Sequence, residues 1–233
     1  MMPIRTALKL GRVSNLPTVW TNVLAGAALA TLEVPWRVVP VVVLAASLLY
    51  VAGMYLNDAF DARWDAQHRP ERPIPAGEVS TRAVFRAAFA MIAAALVLLG
   101  AAAGARALVA GLALTGLIVL YDVRHKSNPF APAIMGLCRA AVYLVAASAV
   151  GRTFAPPVLA GCVFLFTYLV VLTGIARRET TDPKLPRLVG RLIAGISLVD
   201  GVQLLAVGQG WLALACVGAF GLTLQWQKRV AGT

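Results

Sequence analysis

Charged residues are scarce in this sequence: Asp, Glu, Lys and Arg make up only 13% of its 233 residues, and just ten residues are acidic. Hydrophobic residues account for 60%, and the mean hydropathy is +0.79. That composition is too apolar for an ordinary soluble domain. Strict alternation of apolar and polar residues is also missing, which argues against a membrane β-barrel. The remaining class is an all-helical membrane protein.

Cysteine is almost absent, with one residue in each of three separate apolar segments: Cys138, Cys162 and Cys216. They share no spacing that is typical of a metal site, and their number and placement do not indicate a disulfide framework. We interpret them as small residues of a helical core.

Long apolar runs recur along the whole chain, and most have the length that a helix needs to cross a bilayer. We identify eight candidate spans: 16–33, 37–57, 83–104, 106–121, 132–150, 156–176, 189–207 and 211–227. Because no long polar segment separates them, the sequence predicts one membrane domain over residues 1–233, built from about eight transmembrane helices.

The net charge of +11 first suggests a nucleic-acid partner, but the placement of the basic residues indicates membrane topology instead. Lys and Arg concentrate in both termini and in the segments after the second, fourth and sixth runs. Only Arg37, Arg106 and Arg152 lie on the opposite side. The positive-inside rule therefore places both termini in the cytoplasm. We expect membrane lipids, and no nucleic acid, among the partners.

The segment from Asn57 to Gly77 carries the densest group of acidic residues. Asp58, Asp61 and Asp65 fall on one face of a helix, and Asn57 adds an amide oxygen at the edge of that face. Neighbouring carboxylates repel one another and require a counter-charge. Mg²⁺ takes such oxygen ligands together with substrate phosphates, so the pattern indicates a metal–diphosphate site. The alternative is an acidic, solvated helix end.

Arginines follow the acidic residues at once. Pro70, Pro73 and Pro75 prevent a helix there, so the loop is a candidate lid that brings Arg69 and Arg72 to phosphate oxygens. The alternative is a loop whose arginines face lipid headgroups. After the fourth run, Arg124 and Lys126 are further candidates for phosphate contacts.

Four of the polar residues inside the apolar runs are candidates for a functional role: Asn22, Arg139, Tyr143 and Asp200. Asn22 either joins two helices by a hydrogen bond or contacts diphosphate or metal. Arg139 must snorkel or face a polar cavity, and Tyr143 follows it by one turn on the same face. Asp200 is either protonated or paired with an arginine of another span, and its role stays open.

The order Asn57-Asp58-x-x-Asp61-x-x-x-Asp65, followed by the segment 72–77, resembles the first motif of the UbiA superfamily of intramembrane prenyltransferases. The segment from Asn15 to Gly26 also resembles the first helix of that family. Tyr121 with the segment 135–144 is similar to the EboC-like branch, which is found in bacterial secondary-metabolite gene clusters.

This resemblance implies a helical bundle around a central cavity, with Mg²⁺ and an isoprenoid diphosphate bound by the first motif. The residues implied as metal ligands are Asn57, Asp58, Asp61, Asp65 and, from a second motif, Asp182. The implied catalytic residues are Asp58, Asp61, Asp65, Tyr121 and Lys126, with Lys126 displaced by one position from the family's pattern. The candidate substrate-binding residues are Asn57 and Arg178, which the resemblance implies, together with those already identified from the residues themselves: Asn22, Arg69, Arg72, Arg124, Arg139 and Tyr143.

The second motif departs from the family, which commonly has two aspartates four residues apart. Arg178 stands at the first position and Asp182 at the second. The resemblance implies Mg²⁺-dependent prenyl transfer to a small hydrophobic or aromatic acceptor, in secondary-metabolite or lipid and quinone biosynthesis, at the bacterial inner membrane. The altered motif leaves a second hypothesis open, a non-catalytic membrane carrier of a hydrophobic precursor.

Overall fold

The computed structural model of the protein describes residues 2–31, 33–124, 128–176 and 185–230. Within these ranges the chain is helical and contains no strand. Nine α-helices follow one another in this described part: α1 (Ile4–Leu10), α2 (Leu16–Ala30), α3 (Val39–His68), α4 (Thr81–Leu98), α5 (Gly104–Arg124), α6 (Ala131–Ala149), α7 (Pro156–Ala176), α8 (Leu185–Ala206) and α9 (Gly210–Gln227).

Helix α3 is longer than a bilayer requires. It has 30 residues, which corresponds to about 45 Å at the α-helical rise, against a hydrocarbon thickness of about 30 Å. Pro40 lies in its first turn, and the helix ends at His68, just before Arg69 and Pro70. Its last turns therefore extend past the apolar part, and these turns carry the three aspartates.

Helices α4 and α5 form an antiparallel hairpin. Ser80 caps the start of α4, because its hydroxyl accepts a hydrogen bond from the Ala83 amide at 3.3 Å. A π-helical turn over Leu99–Ala103 leads to Gly104, whose φ of +85° reverses the chain. A Cβ atom at Gly111 would collide with the Leu99 side chain, which shows that α5 packs back against this turn.

The distribution of polar and apolar side chains is that of a membrane protein. Among the described residues, five helical segments are long and apolar enough to cross a bilayer: Val39–His68, Thr81–Val123, Ala131–Ala149, Pro156–Ala176 and Leu185–Ala206. Leu214 is 74% exposed although it lies on an apolar helix, whereas Asp200 is fully buried. The predicted all-helical membrane bundle is confirmed, and its exact number of spans stays a prediction.

Helix α2 lies at the centre of the bundle, where it packs against α3, α6, α7, α8 and α9. Small residues along it permit close approach of neighbouring helices. The closest approach is at Gly26, where an added Cβ atom would lie 2.7 Å from the Tyr143 backbone. The packing of α2 against α6 therefore depends on a glycine at position 26.

The substitution Gly26→Ala tests this helix contact. Because the new methyl group meets backbone atoms, we expect a loss of about 1–3 kcal/mol in stability, measured as thermal unfolding in detergent micelles. Gly116→Ala is the matched control, since nothing lies within 4 Å of a Cβ atom there, and a helical Gly→Ala change is neutral or stabilising by about 0.5–1 kcal/mol. Equal unfolding temperatures for the two variants would contradict the close contact.

Candidate functional site

A cavity of about 580 Å³ lies within the bundle, lined by residues of α2, α3 and α5–α8 and of the segments that flank α2 and α3. Along α3 the wall changes from Ala46 and Leu49 to Asn57 and Asp61. The opposite helices contribute apolar residues, among them Leu169 and Ile196. The cavity is therefore largely apolar, with a polar end where α3 leaves the apolar part of the bundle.

The three aspartates of α3 lie on one buried face at this polar end. Asp58, Asp61 and Asp65 are 7%, 9% and 1% exposed, and Asp61 forms part of the cavity wall. The spacing in the sequence correctly predicts their common face. The alternative of a solvated helix end does not agree with this burial.

Arg72 supplies the counter-charge that the carboxylates require. Its Nη1 atom lies 3.2 Å from Asp58 Oδ1 and 3.0 Å from Asp65 Oδ2. The loop after α3 folds back through turns, with the Ala76 amide donating to the Arg72 carbonyl at 2.9 Å. Arg72 and Arg69 both line the cavity, and the Arg69 guanidinium lies over the Trp64 ring at 5.7 Å. Both arginines thus face the site rather than lipid headgroups.

Arg12 is a site residue that the sequence analysis missed. Its Nη2 atom lies 3.4 Å from Asp58 Oδ1, and the residue lines the cavity. The turn after α1 has φ of +41° at Arg12, the only positive φ of a non-glycine residue in the described ranges. Such a conformation costs about 1–3 kcal/mol. Helix α1 is held against α3, where the Tyr55 hydroxyl donates to the Ala7 carbonyl at 3.1 Å.

Asn57 joins α3 to α5. Its Nδ2 atom donates to Asp122 Oδ1 at 3.2 Å, and both residues line the cavity beside Tyr121. The sequence analysis identified Tyr121 as a candidate but gave no role to Asp122. Arg124 is the last residue of α5. Three further candidates, Lys126, Arg178 and Asp182, lie outside the described residues.

The aspartate face fits Mg²⁺ that is bound together with a substrate diphosphate. Asp65 Oδ1 is buried and has no hydrogen-bond partner among the described residues, so an acceptor is left for a cation. In the same part of the chain, no three Asp, Glu, His or Cys residues form a preformed metal cluster. Mg²⁺ commonly uses one or two carboxylates plus phosphate oxygens and water, which requires no such cluster.

Arg139 reaches the cavity from α6, as predicted. Its guanidinium lies 5.3 Å from the centre of the Tyr50 ring, and its Nη1 atom donates to Asn22 Oδ1 at 3.0 Å. Arg139 and Tyr50 line the cavity. The sequence predicts either snorkelling or a polar cavity for Arg139, and the structure shows the second arrangement.

Asn22 and Tyr143 lie behind the cavity wall rather than in it, and their contact with substrate stays a prediction. Both are fully buried and donate to Asp200: the Asn22 amide at 2.8 Å to Oδ2 and the Tyr143 hydroxyl at 2.5 Å to Oδ1. The physical reason is Asp200 itself, because a buried carboxylate needs hydrogen-bond donors. Arg139 connects this group to the cavity.

Comparisons with known proteins agree with this geometry. Residues 18–231 match the UbiA prenyltransferase family. A digeranylgeranylglyceryl phosphate synthase of Methanopyrus kandleri is 30% identical over 215 residues, which cover 91% of this chain and 76% of that protein. The synthase of the same name from Methanoregula boonei is 44% identical over 87 residues, which cover 36% of this chain and 29% of that protein.

Solved structures share the fold at low sequence identity. A structure reported for digeranylgeranylglyceryl phosphate synthase has a TM-score of 0.63 at 17% identity, and the match covers 97% of this chain and 95% of that one. A UbiA homolog from Archaeoglobus fulgidus, bound to DMAPP and Mg²⁺, has a TM-score of 0.60 at 15% identity, covering 96% and 86%. The same homolog bound to GPP and Mg²⁺ matches equally well. The EboC-like assignment stays a prediction.

Removing Arg72 tests the charge balance of the aspartate face. We expect Arg72→Ala to lower the unfolding temperature in EDTA, because buried Asp65 loses its counter-charge and Asp58 is left with Arg12. Breaking a fully buried ion pair costs about 3–5 kcal/mol, and breaking this partly exposed one costs less. Mg²⁺ should then raise the unfolding temperature more in Arg72→Ala than in wild type.

Arg63→Ala is the matched control, since Arg63 is exposed on the same helix and takes part in none of the ion pairs described for the site. It should behave as wild type in EDTA and in Mg²⁺. An identical Mg²⁺ effect in wild type and Arg72→Ala would show that the cation does not bind at this face.

Proposed function

This chain belongs to the UbiA prenyltransferase family, and we propose that it transfers a prenyl group from an isoprenoid diphosphate to a hydrophobic acceptor within the membrane. The observation that carries the proposal is a buried aspartate face, flanked by arginines, at the polar end of an otherwise apolar cavity. Such a cavity matches a substrate with a charged head and a long apolar chain.

The diphosphate of the donor binds at the polar end. Asp58, Asp61 and Asp65 would hold Mg²⁺, with Asn57 as a further oxygen ligand, and the ion would supply positive charge that stabilises the departing diphosphate. The nearby guanidinium groups donate charge-assisted hydrogen bonds to the phosphate oxygens. These groups belong to Arg12, Arg69 and Arg72, which line the cavity. UbiA homologs bound to DMAPP or GPP with Mg²⁺ support this arrangement.

The reaction breaks the bond between the first prenyl carbon and the diphosphate oxygen, and the electron pair leaves with the diphosphate. The prenyl carbon becomes cationic, and a nucleophilic atom of the acceptor forms the new bond and loses its proton. Apolar walls such as Leu49 and Leu169 exclude water, which would otherwise add to the prenyl cation and give an alcohol. Tyr121 lines the cavity, and its ring can stabilise positive charge.

The names of the relatives indicate which substrates to test first. A digeranylgeranylglyceryl phosphate synthase, by its name, makes a glyceryl phosphate that carries two geranylgeranyl groups. Geranylgeranyl diphosphate and geranylgeranylglyceryl phosphate are therefore the first donor and acceptor to test here, ahead of small aromatic acceptors. We place the single domain 1–233 in the cytoplasmic membrane of its cell, with both termini and the polar end of the cavity on the cytoplasmic side.

The substitution Asp61→Asn tests the proposed chemistry. It keeps the shape of the side chain and removes the charge that faces the cavity, so we expect at least about a 100-fold loss of Mg²⁺-dependent turnover. The measurement is transfer of labelled geranylgeranyl groups to the acceptor by purified protein in vesicles. Glu71→Gln is the control, because Glu71 is exposed in the neighbouring loop, and it should retain wild-type turnover.

Unchanged turnover in Asp61→Asn would contradict the assignment of the aspartate face as the catalytic site. Absence of transfer by wild type, together with uptake of the acceptor into vesicles that lack any diphosphate, would instead favour the carrier hypothesis.

A further inference from the structure

Asp200 is a buried carboxylate that the proposed reaction does not use. We propose that Asp200 is a positioning residue which, through the amide of Asn22, fixes the guanidinium of Arg139 so that it binds an oxyanion of a substrate in the cavity. This inference rests on the proposed prenyl transfer, because it concerns how the same cavity holds its substrates.

Asp200 connects α8 to α2 and α6 through hydrogen bonds. Asp200 is fully buried, and the Asn22 Nδ2 atom donates to both of its oxygens, at 2.8 Å and 3.1 Å. The Tyr143 hydroxyl donates to Oδ1 from α6, and Gln203 Nε2 donates to that hydroxyl at 3.0 Å. Every hydrogen bond just described for the Asp200 carboxylate is an accepted one, which is what an ionised carboxylate requires.

The partners of the Asn22 side-chain amide determine its orientation. An amide has one donor end and one acceptor end, and Asp200 takes the donor end. The acceptor end, Oδ1, therefore points to Arg139, whose Nη1 atom lies 3.0 Å away. A reversed amide would place N–H groups against the guanidinium. Asp200 thus determines which end of the Asn22 amide faces Arg139.

Arg139 is placed by its contacts with Asn22 and Tyr50. Asn22 holds one edge of the guanidinium, and the Tyr50 ring lies 5.3 Å from its central carbon. A guanidinium has five N–H donors, and the hydrogen bond to Asn22 uses one of them. Arg12, Arg69 and Arg72 reach the cavity from segments outside the membrane-spanning helices, whereas Arg139 reaches it from within α6.

An arginine on the wall of a largely apolar cavity favours an anionic partner, and the paired oxygens of a phosphate or carboxylate match the forked donor geometry of its guanidinium. Two substrates can bring such a group: the donor with its diphosphate, or an acceptor with an anionic head such as a glyceryl phosphate. The chemistry is shared, and binding experiments with each substrate alone separate the two sources.

The substitution Asp200→Asn is designed to disturb the Asn22 amide. Tyr143 must still donate, because Gln203 donates to its hydroxyl. The new side chain offers its oxygen to Tyr143, and its N–H₂ group replaces Oδ2, which accepts from Asn22 at 2.8 Å. The Asn22 amide then either reverses or loses this hydrogen bond, and both outcomes change how its oxygen is held against Arg139. Shape and burial stay nearly the same, so the main change is in the partner of Arg139.

A double-mutant cycle of Asp200→Asn and Arg139→Gln then tests the connection by titration calorimetry. We expect each single variant to weaken substrate binding by about tenfold, the loss of one charge-assisted hydrogen bond. We expect Asp200→Asn to change binding by less than about twofold once Arg139 is Gln, because the residue it positions is gone. Gln203→Met, at the far end of the same buried group, should bind as wild type.

The titrations use geranylgeranyl diphosphate with Mg²⁺, and separately geranylgeranylglyceryl phosphate without donor. Loss of affinity for the first identifies the diphosphate as the oxyanion, and loss for the second identifies the head of the acceptor. The inference would be overturned if Asp200→Asn weakened binding by the same factor whether position 139 is Arg or Gln. It would also be overturned if Arg139→Gln bound both probes with unchanged affinity.

Melting temperatures measured on the same samples show whether the variants fold. If Asp200→Asn does not fold, Asn22→Ser replaces it in the cycle, since a serine hydroxyl can donate to Asp200 but does not reach Arg139. A different result is that the wild type binds the diphosphate and Asp61→Asn abolishes that binding, while the effects of Asp200→Asn and Arg139→Gln are simply additive. Such a result would contradict only the inference about Asp200 and would leave the proposed function intact. A wild-type protein that binds neither probe would contradict the proposed function and this inference with it.

Discussion

Buried carboxylates need donors or counter-charges, and this requirement explains how much of the bundle is arranged. Arg72 crosses from the loop after α3 to two aspartates, and Arg12 crosses from the N-terminal segment to one of them. Asn57 does the same for an aspartate of α5. Deep in the bundle, α2, α6 and α8 meet around Asp200. Each of these contacts replaces solvation that the buried carboxylate has lost.

The cavity combines two chemistries that the same chain must keep apart. Its polar end concentrates positive and negative groups for a diphosphate, and its apolar walls hold a prenyl chain and exclude water. The extended length of α3 makes this division possible, because one helix carries apolar wall residues in its middle and the aspartate face in its last turns. Arg139 is an exception, because it places a charged group in the cavity wall from within the apolar helix α6.

The sequence predicts the features that depend on local spacing: the helical membrane class, the common face of the three aspartates, and the arginines that follow them. It does not predict which distant residues meet. Asn22 and Asp200 are 178 positions apart, and nothing in their spacing indicates that they pair. Nothing in the sequence assigns Arg12 to the site, because its contact with Asp58 depends on a turn with positive φ. The hydrogen bond of Tyr143 to Asp200 is not predictable for a similar reason, since helical spacing gives a face but not what that face contacts.

The central claim is that the aspartate face binds a diphosphate through Mg²⁺. Calorimetric titration of the folded, purified protein with geranyl and geranylgeranyl diphosphate, in Mg²⁺ and again in EDTA, tests it most directly. The account predicts saturable binding in Mg²⁺ that disappears in EDTA. Binding of equal strength in EDTA, or no binding of either diphosphate in Mg²⁺, would contradict it.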